Sequence, residues 1–85
     1  MSRVIIDVRE KFEFKMGHVK DAVNIPVMDI VNGLPAQLKD ISKDSEIIVY
    51  CMSGSRASAA IPYLQKYGFK NVINGINKSH VKTLI

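Results

Sequence analysis

The sequence predicts an α/β domain, with a small central parallel β-sheet and helices on both faces. Three observations predict it. Short β-branched runs alternate with helix-compatible segments along the chain, which implies parallel pairing through helical crossovers. The strongest run, Ile47-Ile48-Val49, is continuously apolar, as in a strand covered on both faces. The chain has 85 residues, which suits one domain, 1–85, with a small core.

Each element has its own signal. Val4 to Asp7 (VIID) reads as the opening strand. REKFEFKMG then gives a short turn of helix ending near Gly17. AVNIP, Ala22 to Pro26, is a second strand candidate closed by its proline. VMDIVNGLPAQLKDI reads as one helix or two, because Gly33 and Pro35 interrupt it. EIIVYC, Glu46 to Cys51, is the clearest strand. SRASAAIPYLQKYG is the clearest helix: Ala57, Ala60, Ile61, Leu64 and Tyr67 share a face. Ser55 is its expected cap, Gly68 its stop, and Pro62 a predicted kink. NVIN, Asn71 to Asn74, is a weaker strand, and Asn77 to Leu84 a final helix.

Composition excludes several classes. The chain is 47% apolar and 24% charged, as ordinary globular proteins are. A net charge of +4 favours an anionic partner or substrate. The basic residues are scattered and form no arm, so no nucleic-acid partner is expected. No apolar run approaches the ~20 residues of a membrane helix, so no membrane partner is expected either. The apolar run at the amino terminus is short and ends at Asp7, unlike a signal peptide. That points to the cytoplasm; a trimmed precursor segment would place the protein in the periplasm instead. The single cysteine forms neither an internal disulfide nor a Cys-x-x-Cys pair, and no Cys/His cluster suggests a metal.

That cysteine, Cys51, ends the best strand, where ligands of parallel sheets collect. Met52-Ser53-Gly54 must turn the chain tightly into the helix that Ser55 and Arg56 begin. Gly54 permits the backbone angles of such an arc. Successive amides then point inward and form an anion nest. The helix start adds roughly half a positive charge, and Arg56 is expected to add a full one. A thiol in that place should ionise near neutral pH. A lone cysteine is by default a packing residue; the strand end, Gly54 and Arg56 favour a reactive one.

The pieces IIDVRE, GHVKDAVNIP, IIVYCMSGSRAS and YLQKYGFKNV stand in the order and spacing of single-domain rhodaneses. The chain resembles that sulfurtransferase family over nearly its whole length, and most resembles the short phage-shock-protein-E type. The resemblance implies a rhodanese-like fold and covalent sulfur transfer without a metal or organic cofactor. Cys51 would attack the outer sulfur of an anionic donor such as thiosulfate. The resulting persulfide would pass sulfur to cyanide in an assay, or to a thiol or sulfur-carrier protein in the cell. The amides of Met52, Ser53, Gly54, Ser55 and Arg56 would hold the donor and the persulfide charge. Asp7 and Arg9 are expected as a structural ion pair or turn brace at the pocket edge. His18 is implied as scaffold, and Phe12, Phe14 and Met28 as core or pocket rim. Ser53 and Ser55 can donate to a bound anion or to the loop itself. A monomer is expected. The exported members of the short type argue for the periplasm.

The chain departs from the family pattern at three places. Asn74 and Ser79 stand where the family commonly has glycine and tryptophan, which predicts a more open or more polar pocket wall. Asp21 stands where glycine is usual, which predicts only an altered turn. Two other functions compete. A persulfide carrier or interaction module would never turn over thiosulfate. A cysteine phosphatase or arsenate reductase would need a larger cradle: four residues separate Cys51 from Arg56, one fewer than in the phosphatase loop.

Overall fold

The computed structural model describes residues 2–85. Its elements are β1 (Arg3–Asp7), α1 (Lys11–Lys15), β2 (Val23–Asn24), α2 (Val27–Val31), a 3-10 turn (Ala36–Leu38), β3 (Glu46–Tyr50), α3 (Ser55–Lys66), β4 (Asn71–Ile76) and α4 (Lys78–Leu84). The ambiguous stretch after Pro26 is therefore two short pieces, broken where Gly33 and Pro35 stand.

The four strands pair in parallel in the order β2-β1-β3-β4. β3 lies centrally, with Ile5 opposite Ile48 and Ile48 opposite Ile73. Its side chains alternate between faces. Ile47, Val49 and Cys51 join the larger core, with Ile6, Ile25, Ile30, Leu38, Ala57, Ala60 and Leu64. Ile48 and Tyr50 join the smaller one, with Ile5, Val19 and Val81. Helices α2 and α3 bring side chains to the first core, and α4 to the second. The sheet is thus covered on both faces, as its apolar central strand predicts.

The expected face of α3 is the buried one, although Ile61 and Tyr67 are only half-buried. Tyr67 also donates its hydroxyl to the Ile30 carbonyl at 2.6 Å, fastening α3 to α2. The helix continues past Pro62 to Lys66, and Gly68 follows its end at φ 105°. The expected cap is not Ser55. Gly54 takes that position at φ 95°, and no side chain caps the helix. The tight arc out of β3 uses a left-handed residue where a serine would be strained.

One departure from the family pattern, and one glycine that is kept, find physical reasons. Asp21 sits at φ 68°, in the region where glycine costs nothing and Asp or Asn is the next tolerated choice. Gly75 is kept because a Cβ there would lie 2.6 Å from Val81 Cγ2 and 2.8 Å from Ile48 Cγ2. Helix α4 packs onto the sheet over that gap. No helix among the described residues is long and apolar enough to cross a membrane.

Candidate active site

Strand β3 delivers Cys51 to the carboxyl edge of the sheet, 1% exposed. Its own N–H donates to the Ile76 carbonyl at 3.1 Å, which fixes the point where the chain leaves the sheet. The chain then turns back, and the Gly54 N–H reaches the Cys51 Sγ at 3.1 Å. The first α-helical bond here closes from Ser58 N–H to the Gly54 carbonyl at 2.9 Å. Amides in the first turn have no carbonyl partner within a helix. The Gly54 amide is the one that hydrogen-bonds the sulfur, and the neighbouring amides of Ala57, Ser53 and Arg56 also favour its anion.

These donors decide the thiol's ionisation. Burial opposes the thiolate, and the amides of Ala57, Ser53, Gly54 and Arg56 outweigh it, so Cys51 titrates below the ordinary thiol value. Ala57 was not among the residues expected from sequence; its amide is reached only because α3 starts at Ser55. The hydroxyls of Ser53 and Ser55 lie 3.3 Å apart and face solvent, bonded to each other. The Met52 side chain is exposed.

Arg56 departs from expectation. Its guanidinium is not a bare cation at the thiol: Nη1 and Nη2 donate to Glu13 Oε1 and Oε2 at 2.7 and 3.0 Å. The pair joins α1 to the start of α3 across 43 residues of sequence, and no local pattern points to it. Glu13 Oε1 also accepts the Glu10 N–H at 2.9 Å. Arg56, with the Glu10 amide second, holds the Glu13 carboxyl down to about 2. A cleft of about 390 Å³ opens here, lined by Arg9, Phe12, Glu13, Met16, Met52 and Lys78. Phe12 is thus rim, not core, and is 66% exposed. Met28 is also exposed and outside the core, while half-buried Phe14 stacks on the His18 ring at 3.6 Å. His18 Nδ1 bonds the Phe14 carbonyl at 2.8 Å. A depression of about 470 Å³ near Glu46 and Asn71 lies at the other end of the sheet, away from the thiol.

Asp7 and Arg9 are a buried brace. Arg9 Nη2 meets Asp7 Oδ2 at 2.6 Å, Arg9 Nε meets Oδ1 at 2.9 Å, and the Arg9 N–H meets Oδ1 at 3.0 Å. Nη2 also donates to the Gly17 carbonyl at 2.8 Å. Asp7 is fully buried, and Arg9 is 4% exposed.

Asn74 has a part that its substitution for glycine does not reveal. Its Nδ2 donates to the Gly54 carbonyl and to Ser58 Oγ, each at 3.0 Å, while Oδ1 accepts the Ile76 N–H at 2.8 Å. One side chain thus ties the end of β4 to the start of α3. Beside it Ile76 has φ 70°, and the Asn77 N–H bonds the Gly75 carbonyl at 2.9 Å, closing a three-residue γ-turn. A β-branched residue in that region stores ~1–3 kcal/mol of strain. The turn places the Ile76 carbonyl against the Cys51 amide.

A profile of the Rhodanese-like domain matches residues 1–77. The chain belongs to the rhodanese-like domain family. The "Putative thiosulfate sulfurtransferase, mitochondrial" of Schizosaccharomyces pombe is 37% identical over 82 residues, covering 86% of this chain and 58% of that protein. The tRNA uridine(34) hydroxylase of Pectobacterium carotovorum is 34% identical over 71 residues, covering 81% of this chain but 20% of the enzyme. The chain therefore spans less than two thirds of either relative. Among solved structures, a rhodanese with anions from E. coli superposes with a TM-score of 0.79 at 25% identity, covering 93% of this chain and 91% of that one. The rhodanese-like fold expected from sequence is thus the fold observed.

Proposed function

We propose that this chain is a sulfurtransferase that carries sulfane sulfur as a persulfide on Cys51. The observation that supports it most is the thiol itself, buried at the end of β3 yet hydrogen-bonded by the Gly54 amide in a loop whose backbone favours its anion. The thiolate attacks the outer sulfur of thiosulfate. A new S–S bond forms to Cys51, the old one breaks, and sulfite leaves with the electron pair. The single negative charge then rests on the outer persulfide sulfur, at the mouth of the amide nest. Backbone donors suit this task because they need no reorganisation as the charge moves outward. Met52, Ser53, Gly54, Ser55 and Arg56 form the walls of the donor site. Asp7 and Arg9 hold the end of β1 in place, with Arg9 at the edge of the cleft. A thiophilic acceptor, either a small thiol or the thiol of a carrier protein, removes the outer sulfur and restores the thiolate.

The short loop supports sulfur transfer over phosphate chemistry. Four residues between Cys51 and Arg56 supply one amide fewer than a phosphatase loop, and the number of amides sets the cradle's radius. Parallel assays test this. The protein is expected to turn over thiosulfate with cyanide as acceptor and to leave p-nitrophenyl phosphate intact. Turnover of the phosphate ester without sulfur transfer would reverse the assignment. A chain that takes sulfur only from a protein persulfide would be a carrier.

A further inference from the structure

The cation beside the thiol has a partner of its own. Arg56 meets Glu13 through two bonds, at 2.7 and 3.0 Å, the fork geometry in which guanidinium and carboxylate match best. Glu13 is fixed before it meets Arg56, because its Oε1 also accepts the Glu10 N–H in the capping box of α1. The pair is not part of the core. The Arg56 and Glu13 side chains remain 35% and 17% exposed, and Glu13 lines the cleft beside Met52. Arg9 also lines the cleft, but its charge is balanced by Asp7, and its Nε and Nη2 are taken by Asp7 and the Gly17 carbonyl. The mouth therefore presents a neutral ion pair, the amide nest and the Lys78 side chain, where a bare Arg56 would add a further full positive charge.

We infer that Glu13 is a positioning residue that sets the charge selectivity of the sulfur donor. It holds Arg56 in place and cancels its charge, which disfavours dianionic donors such as thiosulfate. Donors whose sulfane sulfur carries less charge, such as organic thiosulfonates and thiol persulfides, are penalised less. The inference rests on sulfur transfer at Cys51, and its physical basis is that a fixed charge acts on a dianion with twice the energy it has on a monoanion. With the carboxylate held to about 2, the cancellation persists across the neutral range.

The test compares wild type with Glu13→Gln, which keeps the shape and loses the charge, and Glu13→Asp, which keeps the charge. Each receives thiosulfate, a dianion, or methanethiosulfonate, a monoanion with the same reactive sulfur. Glu13→Gln is expected to lower KM for thiosulfate about five- to tenfold and for methanethiosulfonate about two- to threefold, with kcat within about twofold. Glu13→Asp should restore the wild-type ratio of the two KM values. Equal shifts for both donors, or a higher KM for thiosulfate in Glu13→Gln, would make the pair a scaffold contact and overturn the inference. Calorimetry of thiosulfate binding to Cys51→Ser and to Cys51→Ser/Glu13→Gln keeps the two ideas apart. If neither donor leaves sulfur on Cys51, the sulfur-transfer reading falls. Tighter binding in the double variant then still upholds control of anion affinity by Glu13, and unchanged or weaker binding overturns it.

Discussion

Two arginines flank the cysteine loop, each forked onto a carboxylate, and their surroundings differ. Arg9 is 4% exposed, its partner Asp7 is fully buried, and a backbone carbonyl takes a further bond. Arg56 is about one third exposed and meets Glu13 at the lip of a cleft. The chemistry of the two pairs is the same, so burial decides what each does. Opening the buried pair strands a charge in the core, at a cost of ~3–5 kcal/mol. A pair at the surface exchanges one partner for water or an anion at a cost of ~0–1 kcal/mol. Arg9 therefore braces the scaffold, while Arg56, in the proposed function, is the one free to bear on the sulfur donor.

The largest effect that can break this comparison is on stability. Arg9→Ala is expected to lose ~3–5 kcal/mol, a large share of what so small a domain has. Arg56→Ala should lose less than ~1 kcal/mol while raising KM for thiosulfate, because Glu13 is left uncompensated at the mouth. Urea denaturation measures the first quantity and steady-state kinetics the second. Equal stability losses in the two variants would erase the distinction.

A smaller effect sharpens it through pH. Arg56 and then the Glu10 amide lower the Glu13 carboxyl from 4.5 to about 2. A carboxyl lowered by folding stabilises the fold above its unfolded value, and that stability is lost as pH falls through the folded one. The melting temperature of wild type should therefore approach that of Glu13→Gln between pH 4.5 and about 2. The difference should amount to at most about a few degrees, as expected for a half-exposed pair. A gap that stays constant down to pH 2 would mean that Glu13 gains nothing from Arg56.

Whatever depends on neighbours in sequence was legible there. The apolar run of β3, the shared face of α3 and the glycine before it follow from local rules, and they are enough to bring Cys51 to an amide nest. Contacts that depend on distant residues were not legible. Glu13 and Arg56 are 43 residues apart, and α1 itself carries no buried residue, so no apolar pattern reveals which way it faces. Asn74 reads as a lost glycine, yet it bonds the Gly54 carbonyl. The positive φ of Ile76 contradicts its residue type, so propensity alone predicts the opposite. Ser55 looks like a cap because serine often is one; the left-handed turn needed after Cys51 moves that position back to Gly54.

The central claim is that Cys51 carries the sulfur, and the mass of the intact protein tests it most directly. After incubation with thiosulfate and removal of excess donor, wild type should gain about 32 Da, the mass of one sulfur atom. Dithiothreitol should remove the gain by thiol–disulfide exchange, and Cys51→Ser should never acquire it. No gain in wild type from thiosulfate or from any persulfide donor would contradict the account, as would a gain that persists in Cys51→Ser.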